Sequence, residues 1–485
     1  MKTLTKGLKK TAVLIMTAVF LLTAACDEDN KPDELAYYDV VIVGGGMSGL
    51  TAAYKLRNLD ILVIEKEEQL GGRIQSGEWN GYHYAKGTEY LSKPEGAFAV
   101  FLGNLSLETI TVPPPTDAVG YEGTVYYGSN ILGYLTSESD REAYETLQEE
   151  VISLNKEGVE DEIYDTPGLQ SAFATQYDDI SVAQWLSYND YPDMVQTFTD
   201  VENRGLFGAG NSDLSFYYNI PEIAFNMPDA GGETMVSSVY TFEDNGIYAI
   251  VDALQDALSD QIITGAEVTD VQVATDETAL ITYRKNGQSV TVKADVALMA
   301  TPAPVTAEIV SGGLSNAVEQ TLADIQYAQY VTINLFTNKR YLKEAWAVSA
   351  LDSSFVTIYD AVRTQVATDH GGKSILGLYI APEQTSDTTL IDRSDDDLVD
   401  DAIEDLAAYY PDIQQNIESY DVCRHKYAFP VFDLNYNQKL NTIYSDTTTR
   451  GPIILAGDYM IYATIDGAFW SGIYAAEETA SWLEE

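Results

Sequence analysis

Apolar residues along the chain gather into short runs of differing character. Tyr38–Val43 (YDVVIV) is β-branched at consecutive positions, the pattern of a strand buried on both faces of a parallel sheet. Leu50–Arg57 reads as a helix, and Ile61–Ile64 as a second buried strand that stops at Glu65. Similar runs return far along the chain. Ile250–Leu258 fits a short amphipathic helix, Ile262–Val268 a strand, and the run from Asp295 an apolar strand ending in Ala300-Thr301-Pro302. Ile453–Leu455 is another buried-strand run, and the small and apolar residues of 465–482 suit a closing helix with Asp466 near its start. Tyr330–Phe336 (YVTINLF) alternates instead, like a strand. Residues 99–237 look helical and loop-rich. Within them Ser212–Phe225 is aromatic-dense, which suits a cavity wall and core packing equally. The alternation of strands and helices predicts the α/β class.

The first two strands carry a motif between them. Gly44-Gly45-Gly46-Met47-Ser48-Gly49 gives the order strand, GxGxxG, helix, strand, acid. That order predicts a Rossmann-like dinucleotide site. Gly44 permits the tight turn, Gly46 lets a pyrophosphate approach the backbone, and Gly49 lets helix and strand pack closely. The helix start at Met47 and Ser48 offers unpaired amides and a positive dipole end to phosphates. Glu65 is placed to accept both ribose hydroxyls, and an acid there argues against a 2′-phosphate.

Beyond Glu65 the chain continues to Gly71-Gly72-Arg73. The whole stretch Val63–Ser76 (VIEKEEQLGGRIQS) resembles the signature of the flavin-containing amine oxidase superfamily. That group includes monoamine and polyamine oxidases, histone lysine demethylases, protoporphyrinogen oxidases and carotenoid desaturases. The resemblance implies FAD, with Gly72 passing close to the pyrophosphate and Arg73 helping to neutralise it. It implies Val268 beside the adenine, and Thr301 among small residues that let the backbone pass the cofactor. It also implies Asp458, after Gly457, at the ribityl or phosphate region, and the Ile465 amide toward the flavin pyrimidine carbonyl. A helix start at that carbonyl stabilises the negative charge of a reduced ring. The matching segments run from residue 38 to 480 in the family's order. Two small departures are Gln69, where the family usually has Arg, and Ala85, where it often has an acid.

The implied layout is a discontinuous FAD-binding domain, 37–98, 238–306 and 440–485, plus a mixed α+β substrate-binding domain, 99–237 and 307–439. Hydride transfer from a substrate C–H bond to the flavin needs no protein nucleophile. It needs water excluded, the carbon oriented and an amine kept neutral. Amine oxidases often flank the flavin with two aromatic rings. One such position falls at Thr464, which leaves Tyr462 or Tyr436 to complete the cage. Thr464 and Tyr462 are therefore the candidate catalytic positions. Many amine oxidases also place a lysine near the flavin, and the stretch at Tyr330 and Val331 has none. Lys339 and Lys343 read as surface residues. No cysteine lies close before Gly467, so the flavin is expected to be held non-covalently. Ala428–Phe432 resembles the desaturase and protoporphyrinogen-oxidase branch. Amine oxidation and C–C dehydrogenation both stay open, with redox-neutral flavin chemistry and a nicotinamide dehydrogenase behind them.

Composition changes the picture in three ways. The net charge of −48, from 27 basic and 75 acidic side chains, excludes a nucleic-acid binder. His83, His370 and His425 are scattered, so no metal site is expected. The start of the chain is the exception to the acidity. Lys2, Lys6, Lys9 and Lys10 precede an apolar run, Thr11–Leu22, too short to span a bilayer comfortably. Thr23-Ala24-Ala25-Cys26 then looks like a bacterial lipoprotein cleavage site, with Thr23 in place of the usual leucine. This predicts a signal peptide over 1–25, a lipid on Cys26, a polar tether over 26–36 and an exported, membrane-anchored lipoprotein. Losing residues 1–25 leaves 23 basic against 75 acidic side chains, a net of −52. Cys423 is then the one remaining thiol and reads as a small packed residue. A small-molecule substrate is expected, and the oligomeric state is not set by the sequence.

Overall fold

The computed structural model describes residues 35–226, 239–365 and 371–484. The basic leader, Cys26, most of the tether and His370 lie outside the described residues.

The first β-branched run forms β1 (Tyr37–Val43), followed by α1 (Met47–Leu56) and β2 (Ile61–Ile64). β1 pairs in parallel with β2 on one side and with the strand Gln288–Met299 on the other. Val40, Val41 and Ile42 have no exposed surface, as consecutive apolar residues require in a sheet covered on both faces. The parallel core extends from β2 to Ile262–Ile263 and from Gln288–Met299 to Ile453–Leu455. The first half of Gln288–Met299 also runs antiparallel to Ala279–Lys285, which pairs with Ala266–Val273. Val310–Gly312 closes that edge. The last helix, Ile465–Glu484, packs on α1 so tightly that a Cβ at Gly472 would lie 2.4 Å from the Ser48 carbonyl oxygen.

One expectation is corrected here. The strand expected over 262–268 is two strands, because the chain turns at Gly265 with φ +60°. The first piece joins the parallel core and the second opens the antiparallel part.

A second sheet holds seven strands, in the order 417–430, 327–337, 374–380, 357–360, 347–350, 117–121 and 124–127. Its neighbours are antiparallel except the pair Ala347–Ala350 and Asp117–Tyr121. Ile333, Leu335, Leu376 and Leu378 pack its core against the helix Asp395–Tyr409. Residues 138–226 supply six helices beside it. Strands of the first sheet fall within 37–98, 238–306 and 440–485, apart from Val310–Gly312. Those of the second fall within 99–237 and 307–439.

Candidate active site

Residues from both sheets line one cavity of about 2070 Å³. A pocket for one drug-sized ligand is about 300–1,000 Å³, so this space suits a dinucleotide together with a substrate. Of the residues singled out from the sequence, Gly44, Gly46, Met47, Ser48, Glu65, Gly72, Arg73, Val268, Thr301, Gly457, Asp458, Thr464 and Ile465 all line it. Gly49 and Tyr462 do not.

Each of these has a local reason for its place. A Cβ built on Gly46 would meet nothing within 4 Å, so open space begins at the turn. No side chain caps α1 there, which leaves its first amides for a ligand. Gly49 acts from behind: a Cβ on it would lie 2.1 Å from the Gly44 carbonyl oxygen and 3.1 Å from the Ala300 methyl. Glu65 is buried at the end of β2. Its Oε2 accepts from the Gly45 amide at 2.7 Å and its Oε1 from the Glu67 amide at 2.8 Å. A carboxylate has about four lone-pair sites, so both oxygens keep capacity for hydroxyl donors. Val268 is nearly buried on the wall nearby, on the strand whose Ala266 amide donates to the Glu65 carbonyl.

Arg73 and Asp458 meet. The Arg73 guanidinium donates to Asp458 Oδ2 and to the Ala428 carbonyl, each at 2.6 Å. Asp458 Oδ1 accepts from the Tyr459 amide at 3.1 Å. Asp458 thus orients Arg73, whose side chain stays 36% exposed to the cavity. Thr301 shares a hydrogen bond with Thr306 at 2.7 Å, and the Gly457 amide donates to Ser471 at 2.8 Å.

Thr464 sits at the head of the last helix, where its Oγ1 accepts from the Gly467 amide at 3.0 Å. Its hydroxyl also lies 3.0 Å from the Tyr164 hydroxyl, and Tyr164 lines the cavity. Tyr462 is the main correction to the expected site. It is fully packed among Tyr218, Phe432, Phe207 and Tyr164, and its hydroxyl donates to the Tyr218 carbonyl at 2.6 Å. Tyr436 is likewise buried, donating to the Tyr459 carbonyl at 2.9 Å. Neither ring completes a cage, because a backbone carbonyl behind the wall satisfies each hydroxyl. Ser212–Phe225 resolves toward packing: Phe216, Tyr217 and Tyr218 are buried, and of residues 212–224 Glu222 alone lines the cavity. Lys339 pairs with Asp412 at the surface, and Lys343 is exposed. Cys423 is half-buried and lies outside the cavity lining.

The remaining wall escaped the sequence reading. Tyr330, Tyr359 and Tyr379 line it from strands of the second sheet and Trp346 from just before one, with Tyr90 edge-on to Trp346 at 5.2 Å. Interleaved with them are four acids, Glu89, Asp117, Glu202 and Glu222. Burial pushes Glu202 up to about 7, against a Ser349 hydroxyl bond that lowers it, with the Asp117 charge adding to the rise. Burial raises Glu89 to about 7 as well, against the Tyr379 hydroxyl and aided by Asp360. Asp466, in the first turn of the last helix, rises to about 6 through burial and the charge of Glu160. No cationic side chain lines the cavity from residues 193–226 or 327–380 among those described. Tyr330, Tyr359 and Tyr379 lie on strands buried at nearly every position, so spacing could not single them out. The adjacent acid and aromatic at Glu89-Tyr90 were the one legible signal.

The sequence model of the flavin-containing amine oxidoreductase family matches residues 47–480. The chain belongs to that family. It is an FAD-dependent oxidoreductase, and the residues fit the cofactor: open space at Gly46, uncapped helix amides, a cation at Arg73 and an acid at Glu65. The chain is also similar to individual proteins. A probable flavin-containing monoamine oxidase A of Dictyostelium discoideum is 26% identical over 188 residues, 37% of this chain and 39% of that protein. Among solved structures, wild-type putrescine oxidase bound to putrescine superposes with a TM-score of 0.73 at 19% identity, covering 92% of this chain and 99% of that one. Cyclohexylamine oxidase from Brevibacterium oxydans IH-35A gives 0.72 at 16% identity, covering 92% and 100%. At such identities the structural likeness carries the fold alone.

Proposed function

We propose that this enzyme oxidises a small amine at the carbon bearing nitrogen, and that it works outside the cytoplasm, tethered by a lipid on Cys26. The observation that carries the substrate class is the aromatic wall with Glu89, Asp117, Glu202 and Glu222, to which residues 193–226 and 327–380 add no cation among those described; Arg424 and Lys426 line the cavity from the strand 417–430, with Arg424 paired to Asp395. Acids and ring faces attract an ammonium group. An amino acid also brings a carboxylate, which these acids disfavour. A porphyrinogen brings several carboxylates, which four acids repel. A polyene gains nothing from them.

Bound FAD supplies the hydride acceptor. The chain's residues do the rest. Glu65 would hold the ribose hydroxyls, while Gly46, the α1 amides and Arg73 would hold the pyrophosphate. Val268 would cover the adenine, and the Ile465 amide, beside the Thr464 hydroxyl that caps the last helix, would face the flavin. The second-sheet wall orients the amine and keeps water out. The −52 charge left after removal of residues 1–25 belongs to an exterior exposed to the medium, where it favours solubility.

The test uses residues 27–485 loaded with FAD. Butylamine, benzylamine, putrescine and spermidine are mixed with it without oxygen, beside amino acids and a carotenoid. Bleaching of the flavin band by at least one amine is expected. Bleaching by the carotenoid alone overturns the reading. Labelled palmitate incorporated into the full chain, and lost in Cys26→Ala, is the expected result for the tether.

A further inference from the structure

Glu89 is an acid on the cavity wall with a specific hydrogen-bonding arrangement around it. It belongs to a segment that the second sheet holds by its carbonyls. Thr332 and His425 donate to the Lys86 carbonyl at 2.9 and 2.7 Å, and the Tyr379 hydroxyl donates to the Gly87 carbonyl at 2.6 Å. The same Tyr379 hydroxyl lies 3.1 Å from the Glu89 carboxylate. A tyrosine has one hydroxyl proton. When Glu89 is ionised, the carboxylate and the Gly87 carbonyl compete for it. When Glu89 is protonated, both contacts are bonds: Glu89 donates to Tyr379, and Tyr379 donates to Gly87. The arrangement is complete only with a proton on Glu89.

The charged and titratable groups packed against Glu89 do not supply a counter-charge. Tyr359 and Tyr379 face it from two strands, with Tyr330 beside Tyr379. Asp360 adds negative charge, itself bonded to Arg340. Among the described residues no ion pair to Glu89 occurs, and Glu89 shares the cavity lining with Tyr330, Trp346, Tyr359 and Tyr379.

We propose that Glu89 accepts the proton of the bound substrate ammonium before the C–H bond is broken. An N–H bond of the ammonium breaks and an O–H bond forms on the Glu89 carboxylate. The electron pair stays on nitrogen, so no oxidation occurs in this step. The neutral amine, with its free electron pair, can then give up hydride, whereas the ammonium cannot. Glu89 returns its proton to solvent after the product leaves. Its rise to about 7 suits it to this exchange near neutral pH. This inference rests on the amine reading above.

The experiment follows anaerobic reduction of the FAD-loaded enzyme by the fastest amine of the panel, from about pH 6 to about pH 10. In the wild type the rate falls as pH drops through about 7, where Glu89 becomes protonated and can accept nothing. Glu89→Gln is expected to lose about 100- to 1,000-fold at neutral pH and to recover near pH ~10, where the amine arrives neutral. Glu89→Asp, which keeps a carboxyl, is expected to keep the neutral-pH limb. A pH-indicator dye read in the same mixing shows no proton release on amine binding in the wild type and about one per amine in Glu89→Gln. A Glu89→Gln rate lowered by one factor at every pH, or a wild-type rate without a limb near 7, overturns the role. If no amine reduces the wild type, the amine reading itself falls. If amines reduce it and Glu89→Gln keeps the wild-type profile, the Glu89 role alone falls.

Discussion

The two sheets build their shares of the cavity from different materials. The parallel sheet contributes backbone: glycines, uncapped amides and one acid at a strand end, all held by close approaches such as Gly49 against Gly44. The second sheet and the helices beside it contribute side chains: Tyr330, Tyr359, Tyr379 and Asp117 from strands, Trp346 from just before one, and Glu202 and Glu222 from helices. A backbone site tolerates almost no change of shape. A side-chain site tolerates change and answers to its chemistry instead. Variants on the two sides should therefore fail in different ways.

The largest effect is expected at Gly49→Val. Its side chain would enter space held by the Gly44 carbonyl and the Ala300 methyl, at a cost of about 3 kcal/mol or more. Loss of the bound-flavin spectrum and a lowered melting temperature should follow together. A variant that keeps FAD would break the claim that this half works by close packing. Glu65→Ala comes next. Losing hydrogen bonds to a charged acceptor costs about 2 kcal/mol, so the dissociation constant for FAD should rise roughly 30-fold, measured by fluorescence titration. Unchanged affinity would show that this acid does not hold the ribose.

On the other side, Glu202→Gln should leave FAD affinity alone and raise the KM for an amine about tenfold, or ~1.4 kcal/mol. A fall in kcat without a KM change would mean that Glu202 does not act through substrate binding. Lys339→Met should do least. Its ion pair with Asp412 is exposed to solvent, where screening and side-chain entropy leave little net stabilisation, and no lysine role is assigned to it. Reduction kinetics within error of the wild type are expected, and a large loss would reopen the search for a flavin-side lysine.

The same contrast explains what could be read from sequence. The backbone half announces itself, because Gly44, Gly46, Gly49 and Glu65 have to stand at set spacings around a strand and a helix. Thirteen of the fifteen residues singled out from the sequence line the cavity, and Gly49 serves it from behind. Tyr462 failed for a reason outside local sequence: the Tyr218 carbonyl, far away in the chain, takes its hydroxyl. Tyr359 and Tyr379 went unnoticed because a strand buried on both faces does not distinguish a core tyrosine from one that faces a cavity. The Gly265 turn was readable as a glycine, but its effect depends on which strand each side joins.

The most direct test of the account is anaerobic mixing of the FAD-loaded chain, residues 27–485, with the amine panel. The account predicts that an amine bleaches the flavin band, and that Glu202→Gln weakens this through KM while the oxidised spectrum stays unchanged. Bleaching by an uncharged hydrophobic substrate alone, with every amine inert, would contradict it.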